Sequence, residues 1–169
     1  MAKTRSLRFV DASFLADAPV TASARQILPA SAAEAFRALE DGDAWPVWLV
    51  PVDKIDWTSP QPFGVGTTRN ITGKGAVTSE YFFAWEDGHR MAFNFTESQL
   101  PFFAAFAEDY ELIDEGADQC TLVWSWGFEC RGPFKYAQPI VGLGFKKTAQ
   151  KSLKNLATYM AENRTKYVE

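Results

Sequence analysis

Two charged residues within apolar, aromatic stretches are the first candidates for chemistry. Strand periodicity places Glu108 on the same face as Phe106 and Tyr110. A carboxylate on such a face must be paired, protonated or close to water. Arg69, on a neighbouring predicted strand, is a cation that could meet it. If both side chains point inward, they can orient a carbonyl or phenol oxygen of a bound molecule.

General-base catalysis by Glu108 conflicts with the presence of Arg69 beside it. Glu108 acts as a general base on an activated C–H bond only if its pKa is raised, and a nearby Arg69 would lower that pKa. This conflict argues against simple general-base catalysis. The alternative is a structural ion pair at the sheet rim, or two residues on the outer face. The catalytic candidates are Arg69, Glu108 and Tyr110.

Aromatic side chains recur on alternate positions of several predicted strands. With 14 Phe and 6 Trp the aromatic content is 15%, enough for a dense core or for the walls of a pocket. The hydroxyls of Tyr81 and Tyr110 can orient a ligand. Trp45 and Trp48 can gate the entrance of a pocket, and the alternative for Trp48 is a structural plug under the sheet edge. The predicted ligand-binding residues are Trp48, Arg69, Tyr81, Phe93, Phe95, Phe106, Glu108, Tyr110, Trp124, Trp126 and Phe145.

Other catalytic chemistries lack the residues they need. His89 is the single histidine and lies in a predicted turn, so we expect a surface residue and no Ser-His-Asp or Cys-His mechanism. Cys120 and Cys130 lie in one predicted strand, about 33 Å apart at ~3.3 Å per residue. That distance excludes a disulfide within a continuous strand. Two cysteines and one histidine form no metal signature, and we predict no metal and no cofactor.

Length and charge restrict the partners. The 169 residues fit one domain, and the net charge of −4 provides no basic field for a nucleic acid. No stretch approaches the ~20 apolar residues of a membrane span, and the basic start lacks the apolar stretch of a signal peptide. We expect a soluble, cytoplasmic protein. Lysines of the last helix predict a solvated face, with an anionic membrane or an acidic partner as the alternative.

The order of elements predicts how these residues are positioned. Residues 1–18 read as an irregular arm, and residues 19–169 as a single domain. Ser31 and Glu34 form a capping box at the start of a short helix, and Pro46 begins a second one. Strands are predicted at 20–28, 52–57, 66–72, 76–86, 90–97, 101–113 and 119–131. A helical period over 139–159 then closes the chain.

Several stretches in this order resemble a known superfamily. They are Ala30–Phe36, Ala44–Trp48, Asp56–Pro60, Gly64–Arg69, Ala84–Phe93, Ala107–Leu112, Cys120–Trp124 and Leu153–Leu156. Over residues 20–160 the chain is similar to the SRPBCC superfamily, the START and birch-pollen-allergen type of helix-grip domain. It most resembles the polyketide cyclase/dehydrase-like branch.

The resemblance implies an α+β helix-grip fold. A seven-stranded curved antiparallel sheet would wrap around the long C-terminal helix, with two short helices after the first strand and a cavity between sheet and helix. Some relatives cyclise polyketides and others carry lipids, but no catalytic motif is common to all. We therefore expect a carrier or sensor of a small hydrophobic or aromatic molecule. The alternatives are a polyketide cyclase, aromatase or dehydratase, and a protein-interaction module; both monomer and homodimer stay open.

Overall fold

The computed structural model describes residues 3–168. A curved antiparallel sheet packs around one long helix. The strands are β1 Arg5–Ser6, β2 Val20–Leu28, β3 Lys54–Trp57, β4 Thr68–Gly73, β5 Ala76–Glu86, β6 Arg90–Ser98, β7 Phe103–Asp114 and β8 Cys120–Cys130. The α-helices are α1 Ala12–Asp17, α2 Ala32–Glu40, α3 Trp45–Trp48 and α4 Gln138–Asn163. Short 3-10 helices at Gly132–Ala137 and Arg164–Tyr167 flank α4.

The sheet runs in the order β2-β8-β7-β6-β5-β4-β3, and β1 pairs with β6. The pairings between its strands are antiparallel. Seven strands thus form the continuous path, and an eighth comes from the N-terminal arm. The predicted helix-grip α+β fold is confirmed.

The N-terminal arm is not irregular, which corrects that expectation for its described part. Its helix α1 packs on the outer face of β7 and β8, where Ala105, Ala107 and Gly127 leave room for it. A Cβ atom added at Gly127 would lie 3.0 Å from the Cβ atom of Ala18. Small residues on this face therefore allow the arm to cover it.

The two short helices form as their sequence predicts. The Ser31 hydroxyl accepts from the Glu34 amide, and the Glu34 carboxylate accepts from the Ser31 amide. Helix α3 and the residues after it are tied to α4. Asn155 donates to the Trp48 carbonyl at 3.2 Å, and the Val50 amide donates to the Ser152 hydroxyl at 3.1 Å.

Helix α4 lies along the concave face of the sheet. Its buried side approaches β2 so closely that a Cβ atom at Gly142 would lie 2.8 Å from Cγ1 of Val20. Just after its C-terminal end, Arg164 bonds to Glu34 and Asp118 at 2.9 and 2.8 Å. Within residues 3–168, no helix combines the length and the apolar composition needed to cross a membrane.

A register shift bends β7 near its start. The pairing with β8 shifts between Phe103 and Ala105. Because of this shift, Phe103 and Phe106 both point inward, although a regular strand would place them on opposite faces. The bend brings one more ring to the concave side than strict alternation predicts.

Candidate functional site

A cavity of about 390 Å³ lies between the concave face of the sheet and the N-terminal half of α4. Most of the lining residues that are not buried lie in the segment after α3, the β4–β5 turn, the β6–β7 loop and α4, which places the mouth among these segments. Most of the wall is aliphatic or aromatic. The lining residues are Trp45, Leu49–Val52, Arg69, Ile71, Gly73, Lys74, Ala76, Thr78, Glu80, Phe93, Phe95, Leu100, Phe102, Phe103, Phe106, Glu108, Trp124, Val141, Gly144, Phe145, Thr148 and Ala149.

A buried ion pair lies at the closed end of the cavity. Arg69 on β4 and Glu80 on β5 occupy directly opposed positions. The Nε atom of Arg69 donates to Oε2 of Glu80 at 2.5 Å, and both side chains are buried. Burying an arginine without a counter-ion is very costly, so Glu80 is the residue that makes an inward-facing Arg69 tolerable.

Aromatic rings surround the Arg69 guanidinium. Its Cζ atom lies 4.1 Å from the ring centre of Trp45, and 4.8 and 5.0 Å from those of Phe93 and Phe82. Such cation–π contacts stabilise a desolvated guanidinium. The Nη1 and Nη2 atoms are buried and have no hydrogen-bond partner within the described chain. Arg69 therefore keeps unused N–H donors at the cavity wall.

Glu108 is the second buried carboxyl group of the cavity wall. Its Oε2 atom accepts from the Tyr110 hydroxyl at 2.8 Å and from Nε1 of Trp124 at 3.0 Å. Both bonds go to the same oxygen, so Oε1 takes part in neither. The two donors hold the carboxyl group in one orientation while leaving Oε1 available to a ligand.

The two buried carboxyl groups, Glu80 and Glu108, differ in their protonation state. Burial and then the charge of Glu80 raise the pKa of Glu108 to about 8, against smaller opposing effects of Tyr110, Arg69 and Trp124. Burial also raises the pKa of Glu80, and the Arg69 guanidinium opposes that shift. Arginine does not deprotonate in proteins, and Glu80 is its direct partner. We therefore treat Arg69–Glu80 as ionised and Glu108 as predominantly protonated near neutral pH.

The ion pair predicted between Arg69 and Glu108 is not formed among the described residues. The two side chains share one cavity, but Arg69 bonds to Glu80 rather than to Glu108. Seven of the predicted ligand-binding residues line the cavity: Arg69, Phe93, Phe95, Phe106, Glu108, Trp124 and Phe145.

Four predicted residues do not line it. Tyr81 lies on the outer side of β5, because Glu80 and Phe82 face inward; its ring contacts Phe9 of the arm. Tyr110 stands behind Glu108 as its hydrogen-bond donor. Trp48 and Trp126 are buried in the core, and their Nε1 atoms lack a partner in the described part of the chain.

Sequence reasoning missed Glu80, Trp45 as the ring over Arg69, and Phe103. A sequence signal for Glu80 exists, because it alternates in register with Thr78 and Phe82 in the middle of β5, whereas Glu86, of the same parity, is the last residue of the strand. The sequence of β5 does not distinguish its two faces, because the other face also carries aromatic residues, Tyr81 and Phe83. Phe103 could not be assigned, because the register shift in β7 breaks the alternation.

A second, wider groove of about 740 Å³ lies at α2 and the 86–89 turn. Polar and charged side chains such as Arg37, Glu40 and Asp87 share its wall with Phe36 and Phe63. Unlike the cavity, this groove has no fully buried charged group among its described lining residues. The cavity is therefore the better candidate site.

Comparisons with known proteins agree with this architecture. Residues 19–161 match the family described as polyketide cyclase / dehydrase and lipid transport. An uncharacterised protein of Mycobacterium tuberculosis (strain ATCC 25618 / H37Rv) is 37% identical over 129 residues, covering 73% of this chain and 74% of that protein. An uncharacterised protein of Mycobacterium bovis matches with the same values.

Solved structures share the fold at low identity. The Zhui aromatase/cyclase from Streptomyces sp. R1128 superposes with a TM-score of 0.72 at 13% identity, covering 86% of this chain and 95% of that one. A START superfamily protein from Mycobacterium smegmatis gives 0.61 at 13% identity, covering 80% and 98%. The resemblance inferred from the sequence is confirmed: the chain belongs to the polyketide cyclase/dehydrase and lipid transport family.

Proposed function

We propose that the protein binds a neutral, largely apolar molecule whose hydrogen-bond acceptor, such as a ketone oxygen, lies against Arg69 and Glu108. The main observation behind the proposal is the closed end of the cavity. There the terminal N–H groups of Arg69 have no partner within the described chain, and the charge of Arg69 is already balanced by Glu80. The family and its structural neighbours fit hydrophobic-ligand binding or cyclisation, and the polar end narrows the ligand class.

The polar end offers donors to a ligand. Arg69 has two terminal nitrogens without partners. In protonated Glu108, Oε2 already accepts two hydrogen bonds, so the proton belongs on Oε1, where it can be donated. An acceptor oxygen between Arg69 and Glu108 satisfies buried donors that otherwise cost free energy.

The charge balance favours a neutral ligand over an anionic one. Glu80 already compensates Arg69, so a ligand carboxylate would add a second negative charge beside one cation. The rest of the wall, rich in phenylalanine, contributes apolar contact area and few polar groups. A ketone or quinone on an apolar body matches both parts of the cavity.

Binding can be tested with Prodan, a fluorescent naphthalene that carries a propionyl ketone. We expect saturable binding with a blue-shifted emission. Thr148→Trp should abolish it by filling the cavity, because Thr148 lines the wall. Thr158→Trp is the matched control on the same helix: both hydroxyls bond to the carbonyl four residues back, and Thr158 lies outside the cavity. Equal binding by the two variants would reject the proposal.

A second candidate function is acid–base catalysis on a carbonyl compound, as in a cyclase, aromatase or dehydratase. One observation favours it. Arg69 is paired with Glu80, while burial and then the charge of Glu80 raise the pKa of Glu108 to about 8, within the range of a general acid or base, despite the opposing effect of Arg69. Arg69 would stabilise charge developing on the carbonyl oxygen.

Proton transfer can be measured without knowing the substrate. In D₂O buffered near the pKa of Glu108, about 8, the ionised carboxylate would take an α-proton from the Prodan ketone, and the electron pair of the C–H bond would form an enolate whose oxygen lies against Arg69. The proton on Glu108 then exchanges with D₂O, and a deuteron returns to the same carbon. We expect the wild type to accelerate this exchange, followed by mass spectrometry, and Glu108→Gln to bind Prodan without accelerating it. Exchange at the protein-free rate with saturating wild type would remove this candidate and leave binding as the function.

A further inference from the structure

The N-terminal half of α4 exposes large apolar side chains next to the cavity mouth. Ile140 is 74% exposed and Leu143 is 64% exposed, and Tyr136, just before the helix, is 92% exposed. Ile140 and Leu143 are three residues apart and share one side of the helix. The opposite side of the same turns, at Val141 and Phe145, lines the cavity.

Lysines continue the same exposed side toward the C-terminus. Lys147, Lys151 and Lys154 follow Leu143 at helical spacing, and Lys146 lies beside them. These four lysines form no ion pair with a carboxylate of residues 3–168. Residues 131–161 contain six Lys and Arg and no Asp or Glu, although the whole chain has a net charge of −4.

We infer that this end of α4 docks on the surface of an anionic lipid bilayer, with Ile140 and Leu143 inserted and the lysines at the headgroups. One helical turn, about 5.4 Å, separates the apolar tip from the first lysines. That spacing matches an apolar face buried about 5–10 Å into the boundary between headgroups and acyl chains. Each lysine near such a surface adds favourable electrostatic energy.

The position of this surface beside the cavity mouth connects membrane docking with uptake of a ligand. The mouth residue Val50 is partly exposed, and Lys74 of the β4–β5 turn lies on the same rim. Docking would therefore bring the cavity mouth to the membrane, from which an apolar molecule can enter without crossing water. The other end of α4 is held by Arg164, so the docking end is the one that carries the mouth.

Vesicle co-sedimentation tests the inference. We expect the wild type to bind vesicles of phosphatidylcholine mixed with phosphatidylglycerol, and to bind pure phosphatidylcholine at least about tenfold more weakly. High salt should reduce the binding. Ile140→Ser/Leu143→Ser and Lys146→Glu/Lys147→Glu should each reduce it by about tenfold or more.

The control variants carry the same kinds of substitution, apolar to serine and basic to acidic, at exposed positions outside α4. Ile27→Ser/Val65→Ser removes two exposed apolar side chains, and Arg25→Glu reverses an exposed charge, all distant in sequence from α4. These variants should bind vesicles like the wild type. Unchanged Prodan fluorescence in the α4 variants shows that they are folded and separates this inference from the proposed function.

Several results of these experiments would overturn the inference. They are equal binding to the two vesicle types, absence of binding to both, and α4 variants that bind as well as the controls do. Binding to soluble poly-glutamate with no binding to phosphatidylglycerol vesicles would also overturn it, and would point to an acidic protein surface instead.

Discussion

Arg69 and Glu80 face each other across β4 and β5 and form a 2.5 Å ion pair that is closed off from solvent. This relationship organises the site. It supplies a counter-ion to a guanidinium that lies among aromatic rings. Burial raises the pKa of Glu108, and the negative charge of Glu80 adds to that shift. One residue pair thus determines both the charge and the hydrogen-bonding character of the cavity end.

The ion pair predicts a strongly non-additive pair of mutations. Glu80→Ala should destabilise the protein by about 3–5 kcal/mol, because it leaves Arg69 charged and buried. Arg69→Met/Glu80→Leu should recover most of that loss, since apolar residues of similar volume often replace a buried pair without cost. Urea denaturation measures both. Glu97→Gln, at an exposed position of β6, should stay within about 0.5 kcal/mol of wild type.

Replacing the ion pair by apolar residues should weaken ligand binding while the protein stays folded. The Arg69→Met/Glu80→Leu protein should remain folded and bind Prodan about tenfold or more weakly, because the donors of Arg69 are gone. Fluorescence titration checks this. Undiminished affinity in the folded double variant would remove Arg69 from the proposed ligand contacts.

Glu108 predicts how stability depends on pH. Its pKa is about 8 in the folded protein and near 4.5, its ordinary value, when unfolded. Between these values the native state holds a proton that the unfolded chain has released, so stability falls as pH rises. The slope is at most about 1.4 kcal/mol per pH unit. Denaturant titrations from about pH 5 to pH 8 should show this slope in the wild type and a smaller one in Glu108→Gln.

Ligand charge should matter for affinity. Prodan should bind at least about tenfold more tightly than 6-dimethylamino-2-naphthoic acid, which has the same ring system and a carboxylate in place of the ketone. Prodan affinity should also fall as pH rises through about 8, because Glu108 then loses the proton it donates. Preference for the carboxylate would contradict the proposed neutral ligand, although cavity binding itself would stand.

Two glycines of α4 should respond in opposite ways to the same substitution. Gly142→Ala should cost about 1–3 kcal/mol, because the new Cβ atom collides with Val20. Gly144→Ala meets no atom within 4 Å and should stabilise the helix by up to about 1 kcal/mol. Val20→Ala should reduce the penalty of Gly142→Ala. Thermal denaturation compares the four proteins, and equal effects of both glycine substitutions would contradict the close approach of α4 to β2.

Both thiols should be protected in the native state. Cys120 and Cys130 are buried, and burial raises the pKa of Cys120 to about 12 and shifts that of Cys130 in the same direction. Little thiolate is therefore present at neutral pH. A colourimetric thiol assay should detect neither residue in native protein and both in denaturant. Fast labelling of either one under native conditions would contradict their burial.

The fold and the order of the elements from β2 onward follow from the sequence alone, whereas β1 and α1 of the arm do not. The Ser31–Glu34 capping box, the Asp87–Gly88 turn and the alternation along β8 are local signals, and the structure contains each of them. The sequence also singled out Arg69 and Glu108, because a charge among apolar neighbours is visible without coordinates. These features depend on contacts between residues close together in the chain.

Which charges form pairs, and which sheet faces are covered, depends on tertiary contacts between separate elements. Glu80 rather than Glu108 pairs with Arg69 because strand register fixes their opposition, and register is a contact between separate strands. Tyr81 faces outward because the arm provides a second apolar layer there, so both faces of β5 carry aromatic residues. The proton on Glu108 likewise depends on burial and on a neighbouring charge from another strand, which alternation along one strand cannot reveal.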